Sequence, residues 1–355
     1  MVKFRFALFF WGAMAAVLLC AGVALAQTTP SADAPPPDQF PNTPQQNAKP
    51  ETTFKINSNL VSLFFTARDK HNGLIPTLSR SDCSVFEDKQ PQTIKDFSAE
   101  TNLPLTLGIL LDTSGSQETV LSLEQQAGSR FLHQIIRPKD EAFVVTFDVD
   151  VDLAQDFTNN VDELTHALDQ ATINTAGGNG AGGIPGIGQG PFPTQGDPKG
   201  TLLYDAVAEA SKDKLSTETG RKALILLTDG EDLGSVTKPD QAIEDAQKAN
   251  AIIYVILIAD RWGYFNSGMM YTGGMQMRRL ADATGGRVID VGNNGKKLQD
   301  AFDQIEAELR TQYLLSYVPT NKDLDGSFRK VSIKCKGDGL KIQARKGYYA
   351  IGNMQ

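Results

Sequence analysis

The stretch LGILLDTSGSQET, from Leu107 to Thr119, changes character at a single residue. An apolar run ends at Asp112, and polar residues follow, with Ser114 and Ser116 at alternate positions. A continuous apolar run bounded in this way predicts a buried strand. The polar spacing behind it suits a metal ion, a nucleophile, a phosphate or a simple helix cap. The surrounding sequence has to distinguish among these four.

The middle of the chain alternates apolar strands with amphipathic helices. KALILLTD and IIYVILIAD are strand-like, whereas VLSLEQQAGSRFLHQII and PDQAIEDAQKANA have helical periodicity. This alternation predicts β-α-β units and a doubly wound, mainly parallel sheet covered by helices on both faces. Ligands of such sheets bind at the carboxyl ends of the strands. Asp112 and Asp229 each follow an apolar run, so both are expected at that edge.

The two flanks of this α/β region have a different texture. Residues 53–100 and 312–355 contain short runs rich in β-branched and aromatic residues, separated by turn sequences such as HNG and GDG. Neither flank has enough strands for a stable sheet of its own. We therefore predict one small β-sandwich built from both flanks, with the α/β domain of residues 101–311 inserted into it.

The N-terminus and the charge narrow the functional classes. Lys3 and Arg5 precede an apolar stretch that ends in Ala24-Leu25-Ala26, which predicts a signal peptide over residues 1–26 and an exported protein, periplasmic, envelope-bound or extracellular. An uncleaved anchor is the alternative, and it is the only membrane association expected. Residues 27–52 predict a disordered Pro-rich linker. The net charge of −8 argues against nucleic-acid binding.

Five oxygen-bearing residues are expected to meet at the sheet edge. Thr201 opens a predicted helix after a long Gly-rich loop, so it stands between the two strand-end carboxylates in the sequence. Carboxylate and hydroxyl oxygens select a hard cation, Mg²⁺ above all, with Mn²⁺ or Ca²⁺ as alternatives. The predicted metal ligands are Asp112, Ser114, Ser116, Thr201 and Asp229.

The order of these residues resembles the D-x-S-x-S…T…D pattern of the metal-ion-dependent adhesion site of von Willebrand factor A (VWA) domains. The resemblance covers residues 101–311, and the flanking strands resemble a group of exported bacterial proteins built around this domain. It implies that the two Asp act largely through water and that the Ser and Thr hydroxyls ligate the cation. It also implies that a protein partner presents an Asp or Glu to the last coordination position. The function expected is adhesion-like binding without catalysis.

Other interpretations of the same residues stay open at this point. Asp112 suits a Mg²⁺-dependent phosphoryl hydrolase, although Ser114 stands where such sites usually carry a second acid. A nucleophilic Ser114 requires a base, and no histidine is clearly near a strand end. The domain is alternatively a metal-free scaffold, with Ser116 or Thr201 serving only as a helix cap. The histidines considered as a base for Ser114 are His71, His133 and His166.

Two further segments are expected beside the metal edge. Trp262, Tyr264 and Phe265 follow a predicted strand, and they suit either a protein-contact rim or inward packing. The Gly-rich loop of residues 176–200 precedes Thr201. It is either a partner-contacting loop or a passive insertion.

Two cysteines remain once the signal peptide is removed. Cys83 belongs to the N-terminal flank and Cys335 to the C-terminal flank. Cys83 also stands where the resemblance leads us to expect a large apolar residue. In an exported protein such a pair predicts a disulfide that links the flanks, and two separate buried thiols are the alternative.

Overall fold

The computed structural model describes residues 60–99, 103–173, 200–259 and 272–352, which lie in one compact unit spanning residues 56–355. The predicted signal peptide, the predicted linker and most of the Gly-rich loop fall outside these ranges, as do Trp262, Tyr264 and Phe265. Within the described ranges, no helix combines the length and the apolar character needed to cross a bilayer.

A six-stranded sheet forms the centre of the molecule. Its strand order is β10-β9-β8-β5-β6-β7, and all neighbours are parallel except β7, which pairs antiparallel with β6 at the edge. Every residue of β5, β8 and β9 is buried, as expected for strands covered on both faces. The strands are β5 (Leu105–Asp112), β6 (Glu141–Phe147), β7 (Val151–Thr158), β8 (Arg221–Thr228), β9 (Ala251–Leu257) and β10 (Val288–Asp290).

Six α-helices of the described residues cover the two faces of this sheet. One apolar cluster joins α1, α2 and α6 to one face, and a second joins α3, α4 and α5 to the other. This is the doubly wound arrangement predicted from the alternating pattern. The helices are α1 (Leu121–Ile135), α2 (Val161–Gln170), α3 (Leu203–Glu209, continued by a π-helical turn over Ala210–Leu215), α4 (Pro239–Lys248), α5 (Gly273–Thr284) and α6 (Gly295–Arg310).

The flanks form two four-stranded antiparallel sheets, and each sheet contains strands from both ends of the chain. Their orders are β13-β1-β11-β4 and β14-β12-β2-β3. A single apolar cluster fills the space between them. The predicted sandwich with an inserted α/β domain is confirmed. The strands are β1 (Val61–Arg68), β2 (Cys83–Glu87), β3 (Gln90–Gln92), β4 (Ile94–Ala99), β11 (Tyr313–Tyr317), β12 (Phe328–Cys335), β13 (Lys341–Ala344) and β14 (Gly347–Tyr349).

Contacts between β1 and the helices of the α/β domain join the two layers. Phe64 of β1 is buried in the apolar cluster beneath α1 and α6. Arg68 of β1 and Arg287 both pair with Glu308 of α6, whose side chain is nearly inaccessible. Two guanidinium groups thus compensate one buried carboxylate. Without them, burial of this charge would be strongly destabilising.

Cys83 and Cys335 lie opposite each other where β2 pairs with β12, and a disulfide joins them in the structure. The bond spans 252 positions of the sequence and encloses the whole α/β domain. Both cysteines contribute to the sandwich core. The bond therefore ties one flank to the other inside a single sheet.

We expect the bridge to form in protein recovered from an oxidising compartment, where non-reducing peptide mapping should recover Cys83 and Cys335 in one linked fragment. Closing so long a loop restricts the unfolded chain and is worth about 5–6 kcal/mol from loop-closure entropy. A reductant should therefore lower the melting temperature. In the double variant Cys83→Ser/Cys335→Ser, the reductant should change nothing. Two free thiols in such protein would contradict the prediction.

Candidate metal centre

The two strand-end carboxylates meet because β5 and β8 are parallel neighbours. Leu111 of β5 pairs with Leu227 of β8, so both strands end at the same level of the sheet. Asp112 is the last residue of β5, and Asp229 follows the last residue of β8. Their exposed fractions are 0% and 3%. The sheet thus brings two buried acids to its carboxyl edge.

Both oxygens of Asp112 accept hydrogen bonds from neighbouring residues. Ser114 donates to Oδ1 through its backbone N–H at 3.0 Å and through its hydroxyl at 2.5 Å. Thr228 donates its hydroxyl to Oδ2 at 2.6 Å. The same Thr228 oxygen accepts the N–H of Gly230 at 2.9 Å. Asp112 is therefore fixed in orientation by its own loop and by the adjacent strand.

The loop after Asp112 turns its two serines to the same side. The Oγ atoms of Ser114 and Ser116 lie 3.1 Å apart. Thr113 turns away instead, and its hydroxyl donates to Asp148 at 2.8 Å. Both serines are partly exposed, and a Cβ added at Gly115 would meet no atom within 4 Å. The site therefore has a buried acidic floor and a solvent-accessible hydroxyl rim.

Thr201 is held between the loops that follow β6 and β8. Its carbonyl accepts the N–H of Leu233 at 3.1 Å, and the N–H of the next residue, Leu202, donates to the carbonyl of Asp148 at 2.8 Å. The Asp148 carboxylate also accepts the hydroxyl of Thr113. These contacts therefore place Thr201 beside the loop that follows Asp112. Thr201 is 5% exposed. The structure thus brings the fifth predicted ligand to the same edge as the other four.

Neither Ser116 nor Thr201 serves as the helix cap considered above. Helix α1 has Val120 at its N-cap and α3 has Leu202, and neither position makes a side-chain capping bond. The first N–H groups of α3 are satisfied by Asp232 and Ser235. The cap interpretation is therefore wrong for both residues.

The hydroxyl of Ser114 contacts Asp112 and Ser116 rather than any histidine.

The loop after β8 is shaped by a glycine and two acids. Gly230 has φ of 85°, and a Cβ there would lie 2.8 Å from Met277, so the position requires glycine. Glu231 accepts the N–H groups of Thr272 and Gly273 at the start of α5, at 2.8 and 2.7 Å. These contacts anchor the segment that follows Asp229.

The electrostatics of the floor are dominated by like charges. Burial and, next, the nearby Asp229 raise the pKa of Asp112 to about 7. Burial also raises the pKa of Glu124 well above its usual value, with further contributions from Asp112 and Asp229. Within the described part of the chain, neither Asp112 nor Glu124 forms an ion pair with a basic side chain. The floor therefore concentrates negative potential.

Three residues of this region were not identified from the sequence. Thr228 orients Asp112, and Glu124 adds a third buried acid; Gln117 is fully buried beside Ser116, with its Oε1 unpartnered. A signal for Glu124 was present, because it occupies an apolar position of the α1 pattern. Thr228 and Gln117 had no such signal, since their roles depend on cross-strand and loop geometry.

The residues present fit a divalent cation. Carboxylate and hydroxyl oxygens are the donors that hard cations prefer, and a cation would offset the repulsion between Asp112 and Asp229. In the described ranges, no three His, Cys, Asp or Glu side chains are placed to hold a metal together. A site at this edge would therefore need the serine and threonine hydroxyls as well as the acids.

The doubly wound sheet, with the D-x-S-x-S…T…D residues at its edge and a β-sandwich beside it, is the architecture that the resemblance to VWA domains implies. No protein-family model matches the chain, and no curated protein matches it.

Several solved structures are similar to the chain at low identity. BatB from Bacteroides thetaiotaomicron is 16% identical over 58% of this chain and 99% of its own, with a TM-score of 0.41. The vWF domain of the pilus tip protein Mfa5 from Porphyromonas gingivalis is 11% identical over 58% of this chain and 95% of its own, with a TM-score of 0.43. Proximal thread matrix protein 1 from the mussel byssus, solved with a zinc-occupied MIDAS motif, is 17% identical over 62% of this chain and 48% of its own, with a TM-score of 0.44. Likenesses of this strength carry no conclusion about what the chain binds.

We expect Thr228→Val to destabilise the protein by about 1–3 kcal/mol, because it leaves a buried carboxylate oxygen and the Gly230 N–H without a partner. Thr228→Ser keeps the hydroxyl and should cost clearly less. Urea unfolding of both variants in the presence of chelator measures the difference. Equal stability of the valine variant and the wild type would show that the bond to Asp112 contributes nothing.

Proposed function

We propose that the chain is an exported, divalent-cation-dependent protein-binding domain of the adhesion type. Mg²⁺, or Mn²⁺ or Ca²⁺ in its place, would be held by Asp112, Ser114, Ser116, Thr201 and Asp229. The observation that carries the proposal is the convergence of two buried carboxylates and two hydroxyls, with no basic side chain paired to Asp112 in the described residues.

The accessibility of the site supports binding of an external group. Ser114 and Ser116 form the partly exposed side, whereas Asp112 and Asp229 are buried beneath them. A bound cation would act as a Lewis acid that a carboxylate oxygen can coordinate. A partner that presents an Asp or Glu would approach from the hydroxyl side, and apolar contacts around the rim would supply most of the affinity. Trp262, Tyr264 and Phe265 remain proposed rim residues.

Export and domain organisation belong to the same proposal. The disulfide between the flanks suits an oxidising compartment, and the pattern of residues 1–26 predicts a signal peptide. We retain a linker over 27–52, a flank over 53–100, the VWA-like domain over 101–311 and a second flank over 312–355. The sandwich would hold both ends of the binding domain.

We expect Mg²⁺ or Mn²⁺ at millimolar concentration to raise the melting temperature of the full chain, because a ligand of the native state stabilises it by about 2.7 kcal/mol at a hundred times its Kd. Asp112→Ala and Thr201→Ala should abolish the shift while leaving the circular dichroism spectrum unchanged. Glu118→Gln, which removes an exposed charge of the same loop, should keep the shift. Calorimetry without heat for either ion in the wild type would refute cation binding.

We expect the immobilised chain to retain a protein from envelope extract only when cation is present. The retained protein should be released by chelator and should not bind Asp112→Ala, because both treatments remove the group that accepts the partner's carboxylate. Retention that is identical under all three conditions would refute a cation-dependent interface. Turnover of aryl phosphates with Mg²⁺, abolished by Asp112→Asn, would instead favour a phosphoryl hydrolase.

A further inference from the structure

Glu124 occupies a core position where the helical pattern calls for an apolar side chain. The buried face of α1 includes Leu121, Gly128 and Phe131 at helical spacing, and Glu124 lies among them with 1% of its surface exposed. A glutamate is almost never fully buried unless it is paired. Its presence at this position therefore needs a physical reason.

No partner for this carboxylate exists among the described residues. Both Glu124 oxygens are buried without a hydrogen bond. The charged groups that act on Glu124 are Asp112 and Asp229, and both repel it. Burying an unpaired ionised acid beside two others costs several kcal/mol unless the acid takes up a proton or a positive charge compensates it.

The described residues give the buried Glu124 carboxylate no structural role. Glu124 is in the first turns of α1, and its N–H is already bonded to the carbonyl of Val120. It makes no contact that caps or links elements in the described chain, unlike Glu231 and Glu308, whose carboxylates hold helices and strands together. What distinguishes Glu124 is that the charged groups acting on it are two of the predicted cation ligands.

We propose that Glu124 is a third acidic group of the cation site, which acts on the bound cation from beyond direct ligation. The inference rests on the proposed function. Asp112, Asp229 and Glu124 are not placed to ligate one metal together. The contribution of Glu124 is therefore its charge, transmitted across a low-dielectric interior, rather than a coordination bond.

A third carboxylate changes which cations and partners the site favours. A bound cation favours the ionised forms of the acids around it. Three ionised acids carry a formal charge of −3, so a divalent cation leaves the floor negative, whereas a trivalent cation neutralises it. Coulomb energies scale with the product of the charges. The residual negative charge in the divalent state also opposes a partner's carboxylate. Glu124 thus strengthens cation binding and weakens the attraction for an acidic side chain.

The test compares the wild type with Glu124→Gln and Glu118→Gln, which each remove one carboxylate from the same segment, one buried and one exposed. Calorimetry with Mn²⁺ and Tb³⁺ measures affinity, and melting in chelator measures the cation-free stability. We expect Glu124→Gln to lose on the order of tenfold in Mn²⁺ affinity and on the order of thirtyfold in Tb³⁺ affinity. Glu118→Gln should change either affinity by less than about twofold, since exposed charges are screened.

The cation-free protein supplies the second readout. Glu124→Gln should not lower the melting temperature in chelator, because it removes an unpaired buried acid and keeps its shape. A lowered melting temperature there would identify a purely structural residue and overturn the inference. Wild-type affinities for both cations in Glu124→Gln would also overturn it. If the wild type binds no cation at all, the proposed function fails together with this inference.

A charge-conserving variant keeps the test decisive if Glu124→Gln does not fold. Glu124→Asp retains the third acid on a shorter side chain, so the ratio of Tb³⁺ to Mn²⁺ affinity should stay within about twofold of the wild-type ratio. A folded Glu124→Asp protein that has lost this preference for the trivalent cation would show that the charge of residue 124 is not what the site uses.

Discussion

The repulsion among buried carboxylates at the carboxyl edge of the sheet is the constraint on which the rest of the site depends. Asp112 and Asp229 are brought together by the register of β5 and β8, and Glu124 is added from α1. Hydrogen bonds from Ser114 and Thr228 orient Asp112 but cannot cancel its charge. Such repulsion is relieved when the acids take up protons or when a cation binds between them. The open hydroxyl side is where a cation can enter.

The loops around this edge are joined to one another by hydrogen bonds. Asp148, just after β6, accepts the hydroxyl of Thr113 and the N–H of Leu202. It therefore connects the loop after β5 to the segment that contains Thr201. Glu231 and Asp232, which follow Gly230, accept the first N–H groups of α5 and α3. The cost of displacing any one loop is therefore shared by two helices and a neighbouring strand, which keeps the oxygen atoms preorganised for a ligand.

Much of this could be predicted from residue patterns. The continuous apolar runs of β5 and β8 and the periodicity of α1 specify a doubly wound sheet, and the strand-like flanks specify the sandwich. Side-chain roles were harder to infer when they depend on distant partners. Thr228 matters because its hydroxyl reaches Asp112 across 116 positions of sequence. Glu124 stands at an apolar position of the α1 pattern, but that pattern does not show which charged groups lie near its side chain. Thr201 was expected to open α3, which instead begins at Leu203.

The sandwich has a consequence for the order in which the chain can fold. Strand β1 pairs with β11, and β2 with β12, so every N-terminal flank strand except β3 waits for partners that are synthesised after the whole α/β domain. Contacts this distant in sequence form slowly, because loop closure must precede them. Until then, β1 exposes unpaired edges and apolar side chains that invite association with other chains. Early folding of the α/β domain shortens this interval, since it brings the flanks together at its own two ends. Folding of the inserted α/β domain therefore promotes pairing of the strands that form the sandwich beside it.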